Sequence, residues 1–200
     1  MMETILTAVV GMYQTNCYIL KDEGHVCIID PGKKAERIIS MIQEDEIVDA
    51  ILLTHGHFDH IGAVDELVKY YHCPVYVNEN DHELLTDTSK NTASGMIATV
   101  TSSTQYFHEG KMKIGHFEFD IIFAPGHTEG CTLIQYKNHL FTGDVLFFEG
   151  IGRTDLYGGN MNKMRQSLNV IKSFNPNLIV YPGHGPTSTI EHELAVNPYF

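Results

Sequence analysis

Apolar residues run along this chain in short blocks, each cut by glycine, proline or acidic residues. Strand-like runs open it at 4–10, 17–20 and 26–29, the last two separated by a turn at Asp22-Glu23-Gly24, and Asp30-Pro31-Gly32 stops the run. Ile38, Ile39 and Ile42 then fall at helical spacing and predict a helix over 33–46. A buried strand follows at 50–54. Val64, Leu67 and Val68 predict a helix over 61–71, ended by Cys73-Pro74, and 75–77 reads as another strand. Strands that alternate with helices predict α/β layers.

Residues 85–105 are polar, rich in Ser and Thr, and weakly periodic, which predicts a long surface loop, either a lid or a passive insertion. From Lys111 onward β signals return at 117–123, 132–136 and 139–142. A helix is expected at 161–174, a strand at 178–181 and a closing helix at 189–196. No repeat or linker interrupts the chain, so residues 1–200 are expected to form one domain of two stacked, β-rich halves.

Composition narrows the function classes. A formal charge of −12, with Lys and Arg scattered singly, gives no footprint for nucleic acid. No window reaches the roughly 18 apolar residues of a membrane span, and the N-terminus lacks a basic region before its apolar run, so a cytoplasmic protein is expected. Cys17, Cys27, Cys73 and Cys131 form no CxxC pair, which leaves four reduced thiols as the expectation.

The densest chemistry lies in Ile51-Leu52-Leu53-Thr54-His55-Gly56-His57-Phe58-Asp59-His60. Residues two apart at a strand end point the same way, so His55 and His57 can share one cation. Asp59 and His60, where the chain turns into a helix, suit a second cation beside the first. Each ion needs further ligands. Three candidates repeat one context, an apolar strand end next to glycine: Gly126-His127, Gly143-Asp144 and Gly183-His184-Gly185. The remaining histidines, His25, His72, His82, His108, His116, His139 and His192, lack that context and are expected on the surface or at caps.

With its HxHxDH run followed by a distant His, Asp and His, the chain resembles the metallo-β-lactamase superfamily over its whole length. Within that family it is most similar to short, single-domain glyoxalase II (hydroxyacylglutathione hydrolase) enzymes, through Gly126-His127-Thr128, Thr142-Gly143-Asp144, Gly152-Arg153-Thr154-Asp155, Pro182-Gly183-His184-Gly185-Pro186 and Asn197-Pro198. The resemblance implies a four-layer αββα sandwich with two divalent metal ions, zinc first and iron or manganese as alternatives. His55, His57 and His127 would hold one ion, Asp59, His60 and His184 the other, and Asp144 would bridge them. Asp59 would also orient the hydroxide that attacks a thioester carbonyl. Asp30 matches the family's early aspartate behind the ligands, or is a turn residue before Pro31. Arg153 either meets a substrate carboxylate or braces its loop through Asp155, and Tyr157 belongs to the same segment.

The implied partner is a small thiol ester, neither nucleic acid nor membrane, with the oligomeric state left open. Because the chain stops soon after His184, glutathione is a weaker inference than the reaction type. Persulfide dioxygenases share several of these motifs, and they hold a single iron on the equivalents of His55, His127 and Asp144. Cys131 points toward them, or is a small residue that starts a buried strand. Lactone, ester or lactam hydrolysis is the other alternative within the family.

Overall fold

The computed structural model describes residues 3–91 and 98–200. Three antiparallel strands, β1 (Thr4–Val10), β2 (Thr15–Asp22) and β3 (His25–Ile29), lead through α1 (Ala35–Ile39), β4 (Ile47–Leu52), α2 (Phe58–Ile61), α3 (Val64–Tyr71), β5 (Val75–Val77) and α4 (His82–Thr86) to β6 (Thr104–Tyr106). The second half follows as β7 (Gly110–Ile114), β8 (Phe117–Phe123), β9 (Thr132–Tyr136), β10 (His139–Gly143), β11 (Leu146–Phe147), β12 (Gly150–Ile151), α5 (Met161–Ile171), β13 (Ile179–Pro182), β14 (Ser188–Thr189) and α6 (Ile190–Val196). Two six-stranded sheets result, ordered β1-β2-β3-β4-β5-β6 and β14-β13-β10-β9-β8-β7.

Strand alternation builds the layers. In β2, Tyr18 and Leu20 face the other sheet and meet Phe117, Phe119, Ile134 and Phe141 in the central core. Their neighbours Cys17 and Ile19 face outward, against Ile38 of α1 and Val64 and Leu67 of α3. On the far side Leu133, Leu140 and Val180 pack on Met164, Leu168 and Ile171 of α5. The central strands are therefore apolar on both faces, and the order is αββα, as expected from the sequence. Truncating a fully buried phenylalanine such as Phe119 in such a core costs about 3–5 kcal/mol, so the sheets are a stiff base for what their ends carry.

Several elements differ from the sequence expectation. The helix predicted over 33–46 ends at Ile39. The acidic run Glu44-Asp45-Glu46 opposes a helix C-terminus, and Glu46 instead accepts from the Gln43 amide and from Lys21. The single helix expected over 61–71 is broken at Gly62 and Ala63, where the Gly62 backbone presses against the Gly32 carbonyl. The loop expected over 85–105 ends instead in β6, a polar strand that extends the sheet in parallel beside β5. Residues 92–97 of that lid-or-insertion segment lie outside the described residues. Among the described residues no helix is long and apolar enough to cross a membrane.

At one end the sheets are sewn together. The Asn16 amide donates to the Gly183 carbonyl (2.8 Å) and the Tyr18 hydroxyl to the Pro182 carbonyl (2.6 Å), while the Thr132 amide donates to the Thr54 carbonyl (2.9 Å). That end is where β4, β8, β10 and β13 all finish.

Candidate metal centre

Each of those strands delivers a candidate ligand just past its last residues. His55 and His57 follow β4, His127 follows β8, Asp144 follows β10 and His184 follows β13, while α2 carries Asp59 and His60. One nitrogen from each of His55, His57 and His127 lies within 4.8 Å of the others, and so do the ligand atoms of Asp59, His60 and His184. Asp144 stands between the two groups. Its Oδ1 is 3.3 Å from His60 Nε2, and its Oδ2 is 3.4 Å from His127 Nε2 and 3.5 Å from His184 Nε2.

Hydrogen bonds behind the histidines fix which nitrogen faces inward. His127 Nδ1 donates to the Arg153 carbonyl (2.6 Å), His184 Nδ1 to the Tyr13 carbonyl (3.0 Å) and His60 Nδ1 to Asp30 Oδ2 (2.9 Å). The Thr54 hydroxyl spends its proton on Asp30 Oδ2 (2.6 Å), which leaves its oxygen to accept from His55 Nδ1 (3.1 Å). Each of these rings therefore turns its Nε2 into the site. This is the arrangement that holds metal-ligating histidines in one tautomer.

His57 Nδ1 meets His127 Nε2 at 2.8 Å, but other inward atoms have no partner among the described residues. His55 Nε2, His60 Nε2 and Asp144 Oδ1 are buried and lack a hydrogen-bond partner among the described residues, and the 3.3 Å approach of the last two misses hydrogen-bond geometry. A buried polar atom left so costs about 1–3 kcal/mol. Burial, then the nearby His60 ring, pushes the His55 ring well below the imidazole range, and burial with His127 holds His57 at about 3. Burial works against the charge on Asp59, but the His60 ring and a hydrogen bond from His184 outweigh it and keep the carboxyl at about 2. Likewise burial opposes a charge on His184, yet Asp144 and Asp59 raise that ring to about 9. Two carboxylates thus draw positive charge into a nest of imidazole lone pairs. That donor set fits divalent cations of the zinc, iron or manganese kind.

Asp30 is more than a turn residue. It adopts a left-handed φ of 51° and accepts from the Thr54 amide (2.8 Å), the Thr54 hydroxyl and His60. Arg153 and Asp155 pair bidentately at 2.7 and 2.8 Å on the surface, which favours the bracing role. Tyr157 is not brought into the cleft; its hydroxyl donates to Glu83 (3.0 Å) in a neighbouring depression. Sequence reasoning missed Asp81. This buried carboxylate accepts from the Gly56 amide (2.9 Å), the Thr128 hydroxyl (2.7 Å) and the Gly130 amide (2.7 Å), clamping the His55–His57 loop to the His127 loop. It too follows an apolar strand, though without a glycine beside it. Cys131 is buried against Thr128, whose amide donates to its sulfur (3.3 Å), as suits a packed residue at a strand start.

Above the seven side chains lies a cleft of two lobes that share Tyr13, Phe58 and Asp59. The larger, about 360 Å³, is lined by His57, Asp59, His127, Asp144 and His184 with Phe147 and Leu156, and the smaller, about 200 Å³, by Met12, Gly32 and Lys33. A Cβ on Gly183 would stand 2.1 Å from Asp144 Oδ1 and 2.7 Å from His60 Cε1, in the cradle itself. Gly183→Ala is therefore expected to lower the metal content on the His60 side to below half while the chain still folds. Elemental analysis beside a thermal melt would check this, and full metal content in the variant would refute it.

The sequence profile of the Metallo-beta-lactamase superfamily matches residues 10–184. The probable metallo-hydrolase YqgX of Bacillus subtilis (strain 168) is 37% identical over 199 residues, covering 95% of this chain and 94% of its own. The hydroxyacylglutathione hydrolase GloC of Haemophilus influenzae is 36% identical over 200 residues, with the corresponding shares 95% and 94%. Among solved structures, the B3 metallo-beta-lactamase BLEG-1 superposes with a TM-score of 0.93 at 37% identity, over 98% of this chain and 99% of that one. TTHA1623 in a di-iron-bound form superposes with a TM-score of 0.89 at 32% identity, over 98% and 100%.

Proposed function

Because the chain belongs to the metallo-beta-lactamase superfamily, as a metal-dependent hydrolase, we propose that it cleaves thioesters of the hydroxyacylglutathione type with two bound cations. The observation that carries this reading is the convergence of two three-residue groups on either side of Asp144 beneath an open cleft. A purely structural metal site would be closed by its ligands; a cleft above them leaves room for water and substrate. The GloC relative, similar along nearly its whole length, supports the thioester as the bond cleaved.

In this reading His55, His57 and His127 would hold one cation and Asp59, His60 and His184 the second, with Asp144 available to both. The cations would supply Lewis acidity, acidifying a water and polarising the substrate carbonyl. The chain's own groups do the positioning. Asp59, ionised at neutral pH and fixed by the Thr15 hydroxyl at 2.9 Å, lines both lobes, where its carboxylate can accept a hydrogen bond from the attacking water. Phe58, Phe147 and Leu156 give the larger lobe an apolar wall, which keeps bulk water from competing. The thiol carrier leaves as a thiolate.

Persulfide oxidation on a single iron would use His55, His127 and Asp144 and leave Asp59, His60 and His184 without a cation. All three are turned inward, and Cys131 is packed away, so the hydrolase is favoured. We also assign the protein to the cytoplasm, with a small molecule rather than nucleic acid or membrane as partner, in keeping with its four buried thiols and acidic charge.

The test is metal content in protein purified without added metal or chelator, followed by assays. Close to two ions per chain, thiol release from S-lactoylglutathione and slower β-lactam cleavage are expected. One iron per chain with oxygen consumption on a persulfide would overturn the reading, as would faster turnover of the lactam.

A further inference from the structure

Resting on the thioester reading, we propose that Lys33 binds a carboxylate on the substrate's thiol-carrier arm, in the smaller lobe beside Asp59. The lobe's position makes it the natural second seat. It opens on Asp59 and shares Tyr13 and Phe58 with the larger lobe, and those two rings meet edge to face at 5.3 Å, forming a ridge between the seats. A thioester whose carbonyl lies over the ligands has two arms, and the two lobes offer one place for each.

Charge decides which arm sits by Lys33. Apart from the candidate-ligand histidines, Lys33 and Arg153 are the basic side chains among the described residues that line the two lobes. Arg153 is taken up by its bidentate pair with Asp155. Lys33 makes no side-chain hydrogen bond or ion pair among the described residues, so its ammonium is available. In a 2-hydroxyacyl thioester the acid's own carboxyl has become the thioester, so a carboxylate remains only on the carrier. On a chain of formal charge −12 an anionic carrier needs a local cation, and the smaller lobe holds one.

The backbone fixes where that cation stands. A Cβ on Gly32 would fall 1.7 Å from the Asp59 carbonyl oxygen, so the Gly32 backbone lies directly on the residue that bears the candidate ligand. The Ala63 amide donates to the Pro31 carbonyl at 2.9 Å, which ties the same loop to the far end of α2. Lys33, the next residue, is thus held in register with Asp59 by main-chain contact, while the residue itself is exposed to an entering carboxylate.

Three thioesters test the assignment: S-lactoylglutathione, with carboxylates on the carrier; S-lactoyl-N-acetylcysteamine, with none; and the hemisuccinyl thioester of N-acetylcysteamine, with one on the acyl arm. Lys33→Ala is expected to raise KM for the first about tenfold with kcat little changed, to leave the other two alone, and to be rescued by Lys33→Arg. Lys34→Asn, one residue on, is expected to behave as the unchanged protein. Equal kinetics for Lys33→Ala and the unchanged protein on S-lactoylglutathione would overturn the proposal, and a selective loss on the hemisuccinyl substrate would overturn the carrier assignment. Calorimetric binding of S-methylglutathione separates the two readings. If no thioester is cleaved the hydrolase reading fails, yet about tenfold weaker binding by Lys33→Ala still supports the site, and equal binding refutes it.

Discussion

Replacing Asp144 with alanine will strip the centre of its paired cations and lower thioester turnover by about three orders of magnitude or more, while the chain remains folded. The magnitude follows from what cations supply to such a reaction, several kcal/mol of transition-state charge stabilisation, at 1.36 kcal/mol per factor of ten. Asp144 lies within 3.5 Å of both candidate groups, meeting His60 on one oxygen and His127 and His184 on the other. Without it, five imidazoles face one another with Asp59 as the remaining inward carboxylate. The fold should survive, because the side chain rests on the ligands and adds nothing to the apolar core clusters. Elemental analysis, circular dichroism and a thioester assay on one preparation would check all three parts. An Asp144→Ala protein that kept two ions and more than a tenth of its turnover would remove the bridging role altogether.

How readily each part could be read from the sequence depended on how local its cause was. His55, His57, Asp59 and His60 lie within six consecutive residues at a strand end, so backbone geometry alone brings them together. His127, Asp144 and His184 are far apart in sequence, but each carries the same mark, an apolar strand that ends at a glycine, because a Cβ there would run into Met164, Thr54 or Asp144 respectively. Asp81 carries no such mark. Its partners Gly56, Thr128 and Gly130 lie 25 to 49 residues away, and only the assembled sheets reveal the clamp. β6 was hidden for a related reason. Thr104-Gln105-Tyr106 has no apolar pattern of its own and becomes a strand by pairing with the edge of β5. Lys33 gave no signal either, since nothing local shows that the Gly32 backbone will press on Asp59.

Asp30→Asn is expected to weaken the cation on the His60 side by about 10- to 100-fold while leaving the shape of the site intact. The native carboxylate takes two protons on one oxygen, from the Thr54 hydroxyl and from His60 Nδ1, and a third on the other from the Thr54 amide. An asparagine must keep its carbonyl toward the Thr54 amide, which can only donate, and therefore turns its NH2 toward Thr54 and His60. The Thr54 hydroxyl can rotate. His60 answers by moving its proton from Nδ1 to Nε2, and Nε2 is the atom that faces Asp59 and Asp144. The lone pair a cation needs is then replaced by a proton, with volume and hydrogen-bond count nearly conserved. Asp30→Ala would instead leave three donors unpaired in a site that is 2% exposed, and would lower stability as well. The pair separates the two effects. If tautomer control is the role of Asp30, the asparagine variant melts near the unchanged protein in chelator but holds fewer ions at limiting metal. If Asp30 only shapes a turn, its metal binding is unchanged.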